Sequence, residues 1–357
     1  MNYRYNSANL DELISNCIYG YYIRYDRLAA LINSEFYNSN ASELYIYIDL
    51  QDILRHVDRY INKSQIPVSN PLVITSGIIN AIAHYRNFFR TRYNCSTKFW
   101  IVDSVNNIIS KKMYGSFCTT QLSLNMSKLY TANIDLLKSL CLYIPDVQYD
   151  STEVDFVCKV GFINNIENKN DDPAFLITKD PFSYQACILP NVYILRPKKN
   201  KTGDVSILVK NNTAVFGYIS EISKNPKIIE PISVEQLSML MALSRVPSRH
   251  IDTLFTLTSA QTILHNTYIN GATRGYIWDL ESFLDIMMMH NRSRIKTIDE
   301  VRYRYMACEV TVSQSESLKM LPESKLYNGI VNLYDPEGIK SINNEFFKSC
   351  PLDLNVL

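Results

Sequence analysis

Tyr45-Ile46-Tyr47-Ile48-Asp49 and Phe99-Trp100-Ile101-Val102-Asp103 are apolar runs of β-strand length that each end on an aspartate. Phe175-Leu176-Ile177-Thr178-Lys179-Asp180 has the same form, and Glu153-Val154-Asp155 adds two acidic residues before it. Helix-like apolar spacing separates the first two runs, and the order strand, helix, strand predicts a βαβ unit with parallel strands. We therefore expect an α/β protein with a mostly parallel central sheet flanked by helices.

The acidic residues at these strand ends predict a metal site. The carboxyl ends of parallel strands share one edge of the sheet, so five acidic residues are expected to converge there: Asp49, Asp103, Glu153, Asp155 and Asp180. Carboxylates in a small volume repel one another, and Mg²⁺ or Mn²⁺ would neutralise them while accepting their hard oxygen ligands. Each aspartate also has an alternative role, because an aspartate after an apolar strand is commonly the N-cap of the next helix.

Composition and charge argue against several classes of protein. The formal net charge is +1, so binding to a polyanion would depend on local clusters of positive charge. The 8 cysteines form no CxxC pair and have no histidine partners at zinc spacing, which predicts reduced thiols in a cytoplasmic protein. The sequence shows neither an apolar signal core nor an apolar stretch long enough to span a membrane, so we expect no membrane insertion.

Changes in apolar spacing divide the chain into four predicted segments, which are a leader (1–40), an α/β core (41–232), a helical module (233–290) and a C-terminal helical extension and tail (291–357). Within the core, residues 74–93 have the apolar spacing of a helix. The Lys198–Gly203 segment lies between two apolar runs and predicts a β-hairpin. In the module, apolar residues on both sides of a break at Pro247 predict a helical hairpin, a unit that often binds the backbone of nucleic acids.

Positive charge is concentrated on either side of the second predicted strand. Arg86 and Arg90 precede it, and Lys111 and Lys112 follow its aspartate. Each neutralised phosphate releases counterions, so a few such residues on one face would give salt-dependent binding of nucleic acid. Ordinary solvated side chains are the alternative interpretation for each of them.

Taken in order, these segments resemble the flap endonuclease family of structure-specific 5′-nucleases, in particular its phage and viral members. Asp49, Asp103, Glu153-Val154-Asp155 and Asp180 stand at the first five acidic positions of the family, and Gln185 lies at the expected step after Asp180. The resemblance implies a PIN-like nuclease core followed by a helix–three-turn–helix module. It also implies a Mg²⁺ or Mn²⁺ ion held by the five acidic residues.

The sequence departs from the family pattern at the second metal site. Phe182 stands where the family has the second Asp of an Asp-x-Asp motif, and Arg249 stands where the helical module supplies its own Asp. The resemblance therefore implies one well-formed metal site. Arg249 could pair with a phosphate there, and a surface arginine that caps a helix end is the alternative interpretation. Leu257–Gln261 replaces the Gly-x-Gly hairpin of the family, and its side chains would resist close approach of the backbone to a phosphate.

Three functions are compatible with these residues. The resemblance implies a metal-dependent 5′-nuclease acting on flapped, branched or single-stranded DNA or on RNA–DNA hybrids, in host cytoplasm, with replication or virion proteins as partners. The departures favour a nuclease-derived protein without turnover that binds nucleic acid or forms part of a virion. A PIN-like ribonuclease, which needs fewer carboxylates, is the third.

Overall fold

The computed structural model describes residues 41, 43–64, 73–103, 124–151, 156–168, 170–200, 203–246, 253–273, 280–290, 296–308 and 326–327. Several predictions fall outside these residues. They are the leader, most of the C-terminal tail, and the side chains of Lys111, Lys112, Glu153, Asp155 and Arg249.

A seven-stranded mixed sheet lies at the centre of the described part of the chain. Its strands are β1 (Glu43–Asp49), β2 (Ser96–Asp103), β3 (Val147–Ser151), β4 (Ala174–Ile177), β5 (Val192–Asn200), β6 (Gly203–Val209) and β7 (Leu326–Tyr327). The spatial order is β6-β5-β4-β1-β2-β3-β7. The neighbours from β5 through β3 pair in parallel, while β6 and β7 pair antiparallel at the two ends. The predicted mostly parallel sheet is thus confirmed.

Helices cover both faces of this sheet. They are α1 (Leu50–Ser64), α2 (Val73–Tyr93), α3 (Leu124–Tyr143), α4 (Phe156–Glu167), α5 (Asn211–Ile222), α6 (Leu237–Leu243), α7 (Leu257–Thr273), α8 (Leu280–His290) and α9 (Lys296–Cys308). Two 3₁₀ helices, Pro181–Ile188 and Val234–Gln236, lie between them. Among the described helices, none has the length and apolar character that crossing a membrane requires.

Alternation along the strands builds a core on each face. In β1, Leu44, Ile46 and Ile48 contribute to one core together with α1, α2 and α3. Tyr45 and Tyr47 contribute to the second core, together with α4, α5 and α6. Successive side chains of a strand point to opposite faces, and a parallel sheet covered on both faces needs apolar residues at both positions. This requirement explains the continuous apolar run that the sequence shows here.

The second core extends into the helical segments that follow the sheet. Met241, Leu264 and Phe283 from α6, α7 and α8 share it with Tyr47 and Trp100 of the sheet. The predicted segment boundary between residues 232 and 233 therefore lies inside one continuous core. Helix α7 begins at Leu257, so the 257–261 segment forms the first turn of a helix.

The local predictions for the core agree with the described elements, with one difference in length. The helix predicted for 74–93 is α2, and the predicted hairpin is formed by β5 and β6. Strand β4 ends at Ile177, so Asp180 lies beyond the strand, at the N-cap of the 3₁₀ helix Pro181–Ile188. The reason is that Pro181 has no N–H to donate to a neighbouring strand, while its fixed φ suits the first turn of a helix.

The strand order identifies where a ligand would bind. From β1 the sheet extends through β2 to β3 on one side and through β4 to β5 on the other. The order reverses between β1 and β4, and open α/β sheets bind their ligands outside the carboxyl ends of the strands at such a switch point. Asp49 and Thr178 lie at this position, one at the end of β1 and one directly after β4.

Candidate functional site

Asp49 ends β1 and caps α1. One carboxylate oxygen, Oδ1, accepts the backbone N–H of Asp52 at 3.1 Å, which is the geometry of an N-cap with the third residue of its helix. The other oxygen, Oδ2, lies 3.2 Å from the hydroxyl of Thr178. The alternative role considered for a strand-end aspartate is therefore present here, and the buried carboxylate also faces the switch point.

Asp52 is a second buried acidic residue at the switch point. It is not among the site residues predicted from the sequence. Its Oδ2 accepts the backbone N–H of Lys179 and lies 3.4 Å from the hydroxyl of Thr178. Its position in the sequence could have identified it. Asp52 is three residues after Asp49, the N-cap of α1, and therefore lies in the first turn of that helix, close to Asp49. A helix N-terminus favours a carboxylate in its first turn.

Asp180 completes the group from the other side of the switch point. Its Oδ1 accepts the backbone N–H of Phe182 at 3.0 Å, and its own N–H donates to Oγ1 of Thr178 at 3.1 Å. Its Oδ2 lies 3.8 Å from Nη1 of Arg55, a partly buried guanidinium on α1. We call Asp49, Asp52, Thr178, Asp180 and Arg55 the switch-point cluster.

The electrostatics of the switch-point cluster act most strongly on Asp49. Burial, together with the nearby Asp52 and Asp180 carboxylates, raises the pKa of the Asp49 carboxyl to about 8, while Arg55 opposes this increase. At neutral pH this carboxyl therefore retains a proton that an exposed aspartate would have lost. A group in this state can hold or release a proton near neutral pH, or exchange its proton for a cation.

The described carboxylates do not by themselves form a metal site. Within the described ranges, no group of three or more His, Cys, Asp or Glu side chains is arranged to hold a metal ion. Backbone N–H groups, the Thr178 hydroxyl and Arg55 already occupy oxygens of Asp49, Asp52 and Asp180. A metal ion here would need further ligands. Glu153 and Asp155, which the resemblance implies as ligands, lie outside the described residues.

Asp103 lies on the other face of the sheet from Asp49. Strand pairing places Asp49 opposite Val102, so Asp103 belongs to the next row and points the other way. The buried carboxylate of Asp103 accepts hydrogen bonds from the hydroxyls of Tyr130 and Tyr149. Of the predicted acidic residues that are described, the structure brings Asp49 and Asp180 together and directs Asp103 towards the first core.

The predicted basic residues on α2 lie at the opposite edge of the sheet. Arg86 donates to the backbone carbonyl of Pro145, and its guanidinium lies 5.7 Å from the ring centre of Phe99. Arg90 is exposed in the last turn of α2. Strand β2 rises about 3.3 Å per residue, which separates this edge from the carboxyl edge by about 20 Å. Nucleic-acid binding by Arg86 and Arg90 stays a prediction, and it would involve a surface other than the switch point.

Phe182 stands where the resembled family has an aspartate, and in this chain the position is part of the apolar core. The 3₁₀ helix Pro181–Ile188 turns Phe182 inward, where it is buried in the second core. Gln185, also buried, donates to the carbonyl of Phe182 at 3.4 Å and contacts the sulfur of Met241. A carboxylate at position 182 would be buried among apolar side chains, so the position serves packing in this chain.

Comparison of the chain with protein-family models gives no match, and comparison with curated proteins gives none either.

Proposed function

We propose that this chain is a metal-dependent 5′-nuclease-like phosphodiesterase whose site is the switch-point cluster. The observation that supports the proposal is the meeting of three buried aspartates around Thr178. The carboxyl groups of Asp49 and Asp52, from the start of α1, both contact the Thr178 hydroxyl, and Asp180, from the segment after β4, donates its backbone N–H to the same hydroxyl. This convergence occurs at the edge where open α/β sheets bind their ligands.

The proposed substrate is flapped, branched or single-stranded DNA or an RNA–DNA hybrid, as the family resemblance implies. Asp49 would act as the group that holds or gives up a proton, because its pKa of about 8 lies close to neutral pH. Arg55 would supply fixed positive charge beside Asp180, and a guanidinium pairs well with phosphate oxygens. Glu153 and Asp155 would have to supply the remaining metal ligands.

Nucleic-acid binding without turnover is the second candidate function. The contact between Arg55 and Asp180 favours it, because an internal cation already neutralises part of the acidic cluster. The hydrogen bonds that Asp49 and Asp180 accept as helix caps also favour binding without turnover, because they already occupy carboxylate oxygens. A protein that kept the fold for binding, or for a role in a virion, would preserve these contacts and need no metal.

Cleavage of labelled 5′-flap and single-stranded substrates with Mg²⁺ or Mn²⁺ tests the proposal. We expect the parent protein to cleave and Asp180→Asn to cleave about 100-fold more slowly, which corresponds to about 3 kcal/mol of lost transition-state stabilisation. Glu235→Gln is the matched control, because Glu235 is exposed and lies outside the switch-point cluster. Its rate should equal that of the parent.

The two candidate functions give different results in this assay. If the parent protein shows no metal-dependent cleavage but binds the same substrates, and Asp180→Asn leaves the affinity unchanged, binding without turnover is the better account. Equal cleavage by the parent and Asp180→Asn would contradict the placement of the site at the switch point.

A further inference from the structure

Asp103 occupies a different environment from Asp49 and Asp180. It pairs with Ser151 across β2 and β3, and Tyr149, two residues before Ser151, projects on the same face of the sheet. A diagonal pair of this kind brings a long aromatic side chain within reach of the residue on the neighbouring strand. Asp103 and Tyr149 are both buried.

Two phenol groups share one oxygen of Asp103. The Tyr130 hydroxyl, from α3, donates to Oδ2 at 2.7 Å, and the Tyr149 hydroxyl, from β3, donates to the same atom. Burial, followed by the charge of the Asp103 carboxylate, raises the pKa of both phenols above their ordinary value. Both hydroxyls therefore stay protonated and act as donors throughout the neutral range.

Helix α3 carries a second polar attachment on the same face. Asn133, one turn after Tyr130, accepts the backbone N–H of Thr75 at 3.1 Å and its hydroxyl at 2.7 Å through the same side-chain oxygen. The second attachment joins α3 to α2, while the contact of Tyr130 joins α3 to the end of β2. The two polar contacts fix α3 to two different elements of the fold.

We propose that Asp103 is a structural acceptor that joins β2, β3 and α3 through the hydroxyls of Tyr130 and Tyr149, and that it does not bind the metal of the proposed function. A cation at Oδ2 would have to displace both hydroxyls. Displacement would take the acceptor from the buried hydroxyl of Tyr149 and from the partly buried hydroxyl of Tyr130, and a buried donor left unpaired carries a desolvation cost. The strand pairing gives an independent reason why Asp103 does not share a metal with Asp49. Asp49 lies opposite Val102, so the side chains of Asp49 and Asp103 point to opposite faces of the sheet.

Thermal unfolding of the full chain tests the structural role. Asp103→Asn keeps an oxygen that can accept both hydroxyls, so its melting temperature should lie close to that of the parent. Asp103→Leu removes the acceptor and Tyr149→Phe removes one donor, and each should lower the melting temperature by several degrees. Because the residues act as a unit, Asp103→Leu combined with Tyr149→Phe should lose clearly less than the sum of the two losses.

A Mn²⁺ titration of the melting temperature tests the metal part of the inference, which rests on the proposed function. Mn²⁺ should stabilise the parent and Asp103→Asn equally, since a ligand that binds only the folded state raises its stability. Asp180→Asn should reduce this shift. Loss of the shift in Asp103→Asn alone would overturn the inference.

The failure of the proposed function would look different. If Mn²⁺ leaves the melting temperature of the parent unchanged, the metal-dependent function is contradicted, and the mutant cycle still decides the structural role. Additive losses in that cycle, or an Asp103→Asn variant as unstable as Asp103→Leu, would overturn the structural role of Asp103. Tyr130→Phe provides a milder variant if Asp103→Leu does not fold.

Discussion

Lys159→Met is expected to lower the free energy of unfolding by about 3–5 kcal/mol, because it leaves the Asp150 carboxylate buried without its counter-ion. The Nζ of Lys159 lies 2.8 Å from Oδ2 of Asp150, and both side chains are 0% exposed. Methionine has nearly the length and shape of lysine, so the change removes charge with little change in packing. Urea unfolding followed by circular dichroism measures the loss.

Lys98→Met is the matched control for this prediction. Lys98 and Glu43 form an ion pair at the same 2.8 Å distance, but their side chains are 37% and 24% exposed. A pair that water reaches contributes at most about 1 kcal/mol, so Lys98→Met should cost far less.

A double variant separates the charge from the packing at the buried pair. Asp150→Leu combined with Lys159→Met replaces both charges by apolar groups of similar size and should recover most of the lost stability. Equal losses for Lys98→Met and Lys159→Met would contradict the importance of burial. A double variant as unstable as Lys159→Met alone would contradict the explanation by an unpaired buried charge.

The central strands of the sheet could be predicted from the sequence because burial on both faces demands continuous apolar runs. The runs at 45–49 and 99–103 lie within β1 and β2, and they pair in parallel as expected. Strand β3 is not recognisable in the same way. Its sequence, Val147–Ser151, contains the polar residues Gln148 and Asp150, and the buried Asp150 pairs with Lys159.

The composition of the candidate site could be predicted only in part. Asp49 and Asp180 were identifiable because each follows an apolar run of strand length, and the structure places both at the switch point. The direction of Asp103 could not be read from the sequence, because it depends on the pairing register of β1 and β2. A shift of one residue between strands transfers a side chain to the opposite face. Sequence spacing carries no information about that offset.

The contribution of Asp49 to the free energy of unfolding is expected to fall as the pH rises from about 4 to about 8. In the folded protein the pKa of Asp49 is raised to about 8, chiefly by burial and then by the Asp52 carboxylate. In the unfolded chain an aspartate has a pKa of about 3.9. Between these values the folded state holds a proton that the unfolded state has lost. The stability that Asp49 contributes therefore decreases with rising pH, by at most about 1.4 kcal/mol per pH unit.

Asp49→Asn isolates this contribution, because the amide oxygen can still accept the N–H of Asp52 while the side chain no longer titrates. The difference in unfolding free energy between Asp49→Asn and the parent should move in favour of the variant as the pH rises from 5 to 8, and this difference cancels groups that titrate in both proteins. Urea unfolding at several pH values gives the curves, with Glu235→Gln as a control that should run parallel to the parent because Glu235 is exposed. Parallel curves for the parent and Asp49→Asn would show that the carboxyl of Asp49 is ionised in the folded protein at neutral pH. The cluster would then already be neutralised by Arg55 and the surrounding N–H donors, which is the arrangement that binding without turnover requires.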